Sequence, residues 1–115
     1  MSRQSLVKLA IQYFIRRGYT IERNSPSEDN DTQSSKRFDL IVRRGSEACP
    51  IWIKDWKRTV GVNIVINVDK IARSGGFSNP ILIAEKFSEH ARAYANRRGI
   101  KLITKTDILR GIKSL

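Results

Sequence analysis

The stretch that most constrains this chain is residues 50–61, PIWIKDWKRTVG. Three large apolar residues, Ile51, Trp52 and Ile53, run without a break into Lys54, Asp55, Trp56, Lys57 and Arg58. A short apolar run bounded by Pro and Gly reads as a strand over residues 51–55 that other layers must cover. Such a strand needs neighbours for its backbone hydrogen bonds. It also carries a group of charges to one of its ends. Two further runs also read as strands. Phe38-Asp39-Leu40-Ile41-Val42 places a single acid in an apolar strand, and Pro80-Ile81-Leu82-Ile83-Ala84 is apolar throughout.

The remaining segments fit around these strands. Residues 2–17 read as a helix, with Leu6, Ala10, Tyr13 and Phe14 on one face and Val7 and Ile11 widening it. Ser2 or Ser5 caps its start, and Gly18 stops it. Residues 19–23, YTIER, alternate as a short strand. Residues 24–37, NSPSEDNDTQSSKR, hold no large apolar side chain and read as a flexible loop. Its acids Glu28, Asp29 and Asp31 fit no calcium-binding spacing. Arg43-Arg44-Gly45-Ser46 reads as a turn that makes a hairpin or meander of the second and third strands. Helices follow over residues 62–73 and 88–98, the second with Ser88 as its cap and Gly99 as its stop. Residues 100–103 form a last strand, and Thr106 caps a final helix. The order α-β-β-β-α-β-α-β-α implies an α/β fold whose central mixed sheet is flanked by helices, formed by residues 1–115 as one domain.

Charge narrows the function. Twenty-two Lys and Arg against eleven Asp and Glu leave +11 on 115 residues. A field of that sign attracts polyanions, most simply nucleic acid. No apolar run approaches the roughly 20 residues that span a bilayer, and no secretory leader pattern stands at the start. A cytoplasmic location without membrane contact is the expectation. Cys49 is the only cysteine and His90 the only histidine, so neither a disulfide nor a Cys/His zinc site is expected. His90 reads as a surface residue, and Tyr13, Phe14 and Tyr94 as core.

These segments resemble, over nearly the whole chain, the PD-(D/E)XK nuclease superfamily and within it the Mrr-like restriction-endonuclease domain. RRGY at residues 16–19 matches the family's opening. FDLIV supplies the acid of its "PD" position as Asp39. IKDWKRTVGV resembles its lysine-bearing strand, and ILIA, FSEHARAYA, GIKLI and TDIL resemble its C-terminal half. The resemblance implies a restriction-endonuclease-like fold and phosphodiester hydrolysis with magnesium or manganese as cofactor. In that chemistry carboxylates bind a hard divalent cation that activates water, and a lysine positions the water or stabilises developing charge. Acid and lysine stand two apart, so that both project from one face of a strand.

Two registers meet that requirement differently. In one, Asp55-Trp56-Lys57 is the acid-X-lysine triplet. In the other, Lys54 is the lysine and Trp52 takes the acid's position. The family's spacing from lysine to the Val60-Gly61 step favours the second, and an indole cannot bind magnesium. Asp39 and Asp55 are the candidate metal ligands, with Lys54 or Lys57 as the catalytic lysine. Arg43, Arg44, Lys57, Arg58 and Arg73 are candidate contacts to nucleic-acid phosphates. Trp56 reads either as a base-stacking residue or as a part of the core. The implied partner is DNA, with RNA not separated from it, and a homodimer would reach both strands of a duplex. The alternative is a nuclease fold without cutting activity, acting as a nucleic-acid-binding or interaction subunit.

Overall fold

The structure, a computed structural model, describes residues 3–23 and 38–113. The loop expected over residues 24–37, with its three acids, and the cap candidate Ser2 lie outside the described residues. Nine elements follow one another: α1 (Arg3–Arg16), β1 (Thr20–Arg23), β2 (Leu40–Arg44), β3 (Glu47–Lys54), α2 (Val62–Ser74), β4 (Ile81–Ala84), α3 (Glu89–Arg98), β5 (Lys101–Thr104) and α4 (Lys105–Lys113). The five strands form one sheet in the order β1-β2-β3-β4-β5. β1 to β3 are an antiparallel meander, whereas β3, β4 and β5 are parallel and connected through α2 and α3. This is the α/β mixed sheet with helical layers expected from the sequence.

Alternation along β3 divides the core in two. Ile51 and Ile53 pack with Leu6, Ala10 and Phe14 of α1 and Ile108 of α4. Trp52, between them, packs on the other side with Val65, Val68 and Ala72 of α2 and Ala91 and Ala95 of α3. Both faces of the strand are therefore dry, which is why its sequence reads as a continuous apolar run rather than an alternating one. Pro50 is fully buried within this middle strand. The half of β3 that holds it pairs only with β2, because pairing with β4 starts at Ile51. A residue without an N–H is tolerated where one ladder is missing.

Four local expectations are corrected. β2 runs two residues later than expected and carries Arg43 and Arg44 inside the strand. Only Gly45 (φ 62°) and Ser46 form the turn, since Arg44 already pairs with Glu47. β3 ends at Lys54, not Asp55, because its pairing with β4 runs out at Lys54 and Ala84. Ser5 lies inside α1. The last helix is capped by Thr104 rather than Thr106. The Asp107 N–H donates to Thr104 Oγ1 (3.1 Å) and the Thr104 N–H donates to Asp107 Oδ2 (3.0 Å). That reciprocal pair is a capping box placed on the last residue of β5. Ser88 and Gly99 behave as expected: Ser88 Oγ accepts from the Ala91 N–H, and Gly99 takes the left-handed conformation (φ 76°).

Candidate nucleic-acid interface at the end of the sheet

The parallel strands end in one row. Lys54 closes β3 in register with Ala84 of β4, and Ala84 in turn with Thr104 of β5. Loops leaving the carboxyl ends of such strands gather their side chains at one place. The loop after β3 is short and returns at once to the sheet. Val60 bridges to Phe87, its N–H donating to the Lys86 carbonyl (2.9 Å) while its carbonyl accepts from Ser88 (3.0 Å). Asp55, Trp56, Lys57 and Arg58 are thus confined between Lys54 and the start of α2.

Asp39 reaches the same place from the opposite direction, because β2 is antiparallel to β3. Its N–H donates to the Ile51 carbonyl (2.8 Å), and its Oδ2 accepts from the Ile53 N–H (2.8 Å). The carboxylate is half-buried and lies against the residue that precedes Lys54. Lys54 is half-buried too, its Nζ 5.4 Å from the centre of the Trp56 ring. The Arg58 guanidinium sits 4.5 Å from the centre of the same ring. A ring quadrupole attracts both cations and fixes them beside one another. Trp56 is half-buried, so it works as a platform for two cations rather than as pure core. Lys57 and Arg58 are exposed.

The two registers now separate geometrically. Trp52 and Lys54 are the strand residues two apart on one face, and Asp55 and Lys57 lie beyond the strand's end. Trp52 is 2% exposed, and its Nε1 finds no hydrogen-bond partner among the described residues. A hard divalent cation takes oxygen ligands. One oxygen of Asp39 already accepts from Ile53, and in the register that takes Lys54 as the lysine, Trp52 offers a donor and no ligand two residues before it. Among the described residues no three His, Cys, Asp or Glu side chains converge. The donors described around Lys54 do not by themselves make up the oxygen set such a cation takes.

The other arginines expected to contact phosphate lie at the far end of the sheet, at the close of β2 and in the last turn of α2. Each is tied to the protein. Arg43 Nε donates to Glu22 Oε2 (3.1 Å). Arg44 Nη1 donates to the Arg17 carbonyl (3.0 Å), and its guanidinium stands 4.6 Å from the centre of the Tyr19 ring. Arg73 Nε donates to Asp69 Oδ1 (3.3 Å).

Asp69 is the residue that sequence reasoning missed. It is buried in the α2–α3 interface at 7% exposure. Its Oδ2 accepts from the Tyr94 hydroxyl (2.9 Å) and from Arg98 Nε (3.0 Å). The bond to Asp69, with burial second, raises the Tyr94 hydroxyl above its ordinary range. One local signal pointed here: Asp69 and Arg73 are four apart on a helix. Nothing local pointed to Tyr94 or Arg98.

Comparison with known proteins follows this geometry. The Mrr_cat family model, described as a restriction endonuclease, matches residues 1–112. Among solved structures, the crystal structure of AF1548, a protein of unknown function, aligns with a TM-score of 0.75 and 18% identity, covering 96% of this chain and 66% of that one. A repair endonuclease from Pyrococcus abyssi aligns with a TM-score of 0.60 and 17% identity, covering 89% of this chain and 46% of that one. The chain thus spans less than two thirds of either neighbour's length, and at these identities the likeness is one of fold. No curated protein matches the chain. Among the described residues, no helix is long and apolar enough to cross a membrane.

Proposed function

The chain belongs to the Mrr_cat restriction endonuclease family, and from that premise we propose that it binds nucleic acid through phosphates at the end of the sheet around Lys54. In this reading Lys54, Lys57 and Arg58 contact the backbone, and the site no longer assembles a divalent cation by itself. The observation that carries the reading is the pair Trp52 and Lys54. The family's lysine position is kept beside two further cations, while the ligand position two residues before it is a buried indole. Cations on a short pinned loop, with a net charge of +11 behind them, suit backbone contact rather than base readout. Titration of labelled duplex at several salt concentrations tests this. Affinity falls steeply with salt, and Lys57→Ala and Arg58→Ala each lower the salt slope by about one. Affinity that is flat across salt, or no binding at low salt, overturns it.

A second reading, hydrolysis of DNA phosphodiester bonds, is favoured by one observation: Asp39 is held against Ile53, next to Lys54. Incubating duplex, flap, junction and single-stranded substrates with magnesium or manganese separates the two. Cleavage that is lost in both Lys54→Ala and Asp39→Asn decides for hydrolysis. Asn at position 39 keeps an acceptor for the Ile53 N–H, so its effect reads the charge and not the fold. Tight binding with no cutting of any substrate decides for the first reading.

A further inference from the structure

We propose that Arg73 and Arg98 form a second phosphate site for a nucleic-acid backbone, on the α2–α3 side of the sheet and at the end away from Lys54, with Asp69 as the residue that positions both. The inference rests on the reading that this chain binds nucleic acid.

Its basis is how the two arginines meet Asp69. Each binds the carboxylate through Nε only, Arg73 to Oδ1 and Arg98 to Oδ2. A guanidinium has five N–H donors, so each arginine keeps its four Nη donors, which have no protein partner among the described residues. Two guanidiniums attached to opposite oxygens of one carboxylate are neighbours by construction. They stay accessible, with side chains 57% and 36% exposed, whereas the Asp69 side chain is 9% exposed. A buried anion therefore orients two solvent-facing forks, and planar forks held in advance lose little freedom when they bind phosphate.

A clasp between α2 and α3 does not require this much. The Tyr94 hydroxyl and one arginine already satisfy the carboxylate across the two helices. The second arginine leaves the group with a surplus positive charge. Its surroundings add to that surplus, with Lys70 and Arg97 exposed nearby in sequence. The only other acid in α2 or α3 is Glu89, at the opposite end of α3. α2 starts at Val62 beside the Lys54 loop, and Arg73 in its last turn lies about 16 Å further along the axis. Two cationic sites so separated suit a polymer with charge every few ångströms rather than one small phosphate.

Duplex-binding titrations across salt on Arg73→Gln, Arg98→Gln, Asp69→Asn and Lys57→Ala, each with a thermal melt, test the proposal. Arg73→Gln and Arg98→Gln each weaken binding several-fold and lower the salt slope by about one. Asp69→Asn weakens binding as well. On charge alone, losing an acid tightens a polyanion, so weaker binding identifies positioning. Folded arginine variants with wild-type affinity and slope overturn the proposal. If Arg98→Gln does not fold, the more exposed Arg73 carries the test. Loss of affinity in Lys57→Ala alone overturns this second site and leaves the primary reading standing, whereas a wild-type protein that binds no nucleic acid overturns both.

Discussion

Single residues in this protein are set by what crosses the sheet or the helix interface, and Gly111 is the tightest case. A Cβ at this position in α4 would lie 2.6 Å from Tyr13 Cε1 and 3.2 Å from Arg17 Nη2. The Tyr13 ring has little room to retreat, since it stands edge-on to Phe14 at 5.1 Å and Arg17 stacks on it at 4.0 Å. Gly111→Ala is expected to push α4 from α1 and to cost about 1–3 kcal/mol, the usual range for overpacking. A chemical denaturation curve measures it, and unchanged stability would show that the ring moves freely. Trp52 is the opposite kind of residue. It fills its place in the core, and among the described residues its indole N–H finds no partner, an arrangement that costs about 1–3 kcal/mol when a donor is buried so.

Among the elements, β3 connects the core to the site. Its alternation sends Ile51 and Ile53 to the α1–α4 layer and Trp52 to the α2–α3 layer, and its last residue is Lys54. Ile53→Asp places an unpaired charge where the wild-type residue is 2% exposed. Loss of about 4 kcal/mol or more is expected, enough to unfold a domain of ordinary stability. A melt that stays cooperative near the wild-type midpoint would refute the central placement of this strand. The first half of β3 was less legible. Glu47-Ala48-Cys49-Pro50 lacks β-branched and aromatic residues, yet pairing with β2 holds it extended, a tertiary override of weak local propensity.

At the scale of the molecule, two protonation equilibria set an alkaline limit. Burial first, and Glu47 second, raise the Cys49 thiol above its ordinary 9.0. The hydrogen bond to Asp69 raises Tyr94 above its ordinary 10.0. Both groups hold their protons more tightly folded than unfolded. Their contribution is fully present below the ordinary values and is lost as pH rises through the folded ones. Stability is therefore expected to fall from about pH 9 upward. Thermal melts between pH 7 and 11 read this, and Cys49→Ala with Tyr94→Phe should flatten the decline. A wild-type midpoint that is level across that range contradicts the assignment.

The sequence alone determined the order of elements, because each carries its own periodicity, cap or stop: the apolar stripe of α2, Ser88 before α3, Gly99 after it. It also placed Asp39 and Lys54 in two apolar runs that pair with each other, and it offered two registers for acid and lysine, Asp55 with Lys57 or the position of Trp52 with Lys54. Only the tertiary structure decided where β3 ends, since a strand stops where its neighbour's pairing stops. Only it decided that Asp39 bonds to Ile53, 14 residues away, and that Asp69 binds Tyr94 and Arg98, 25 and 29 residues away. Local propensity acts over a few residues, whereas burial of a charge is satisfied by whichever donors the fold brings close, and those are fixed by packing rather than by spacing.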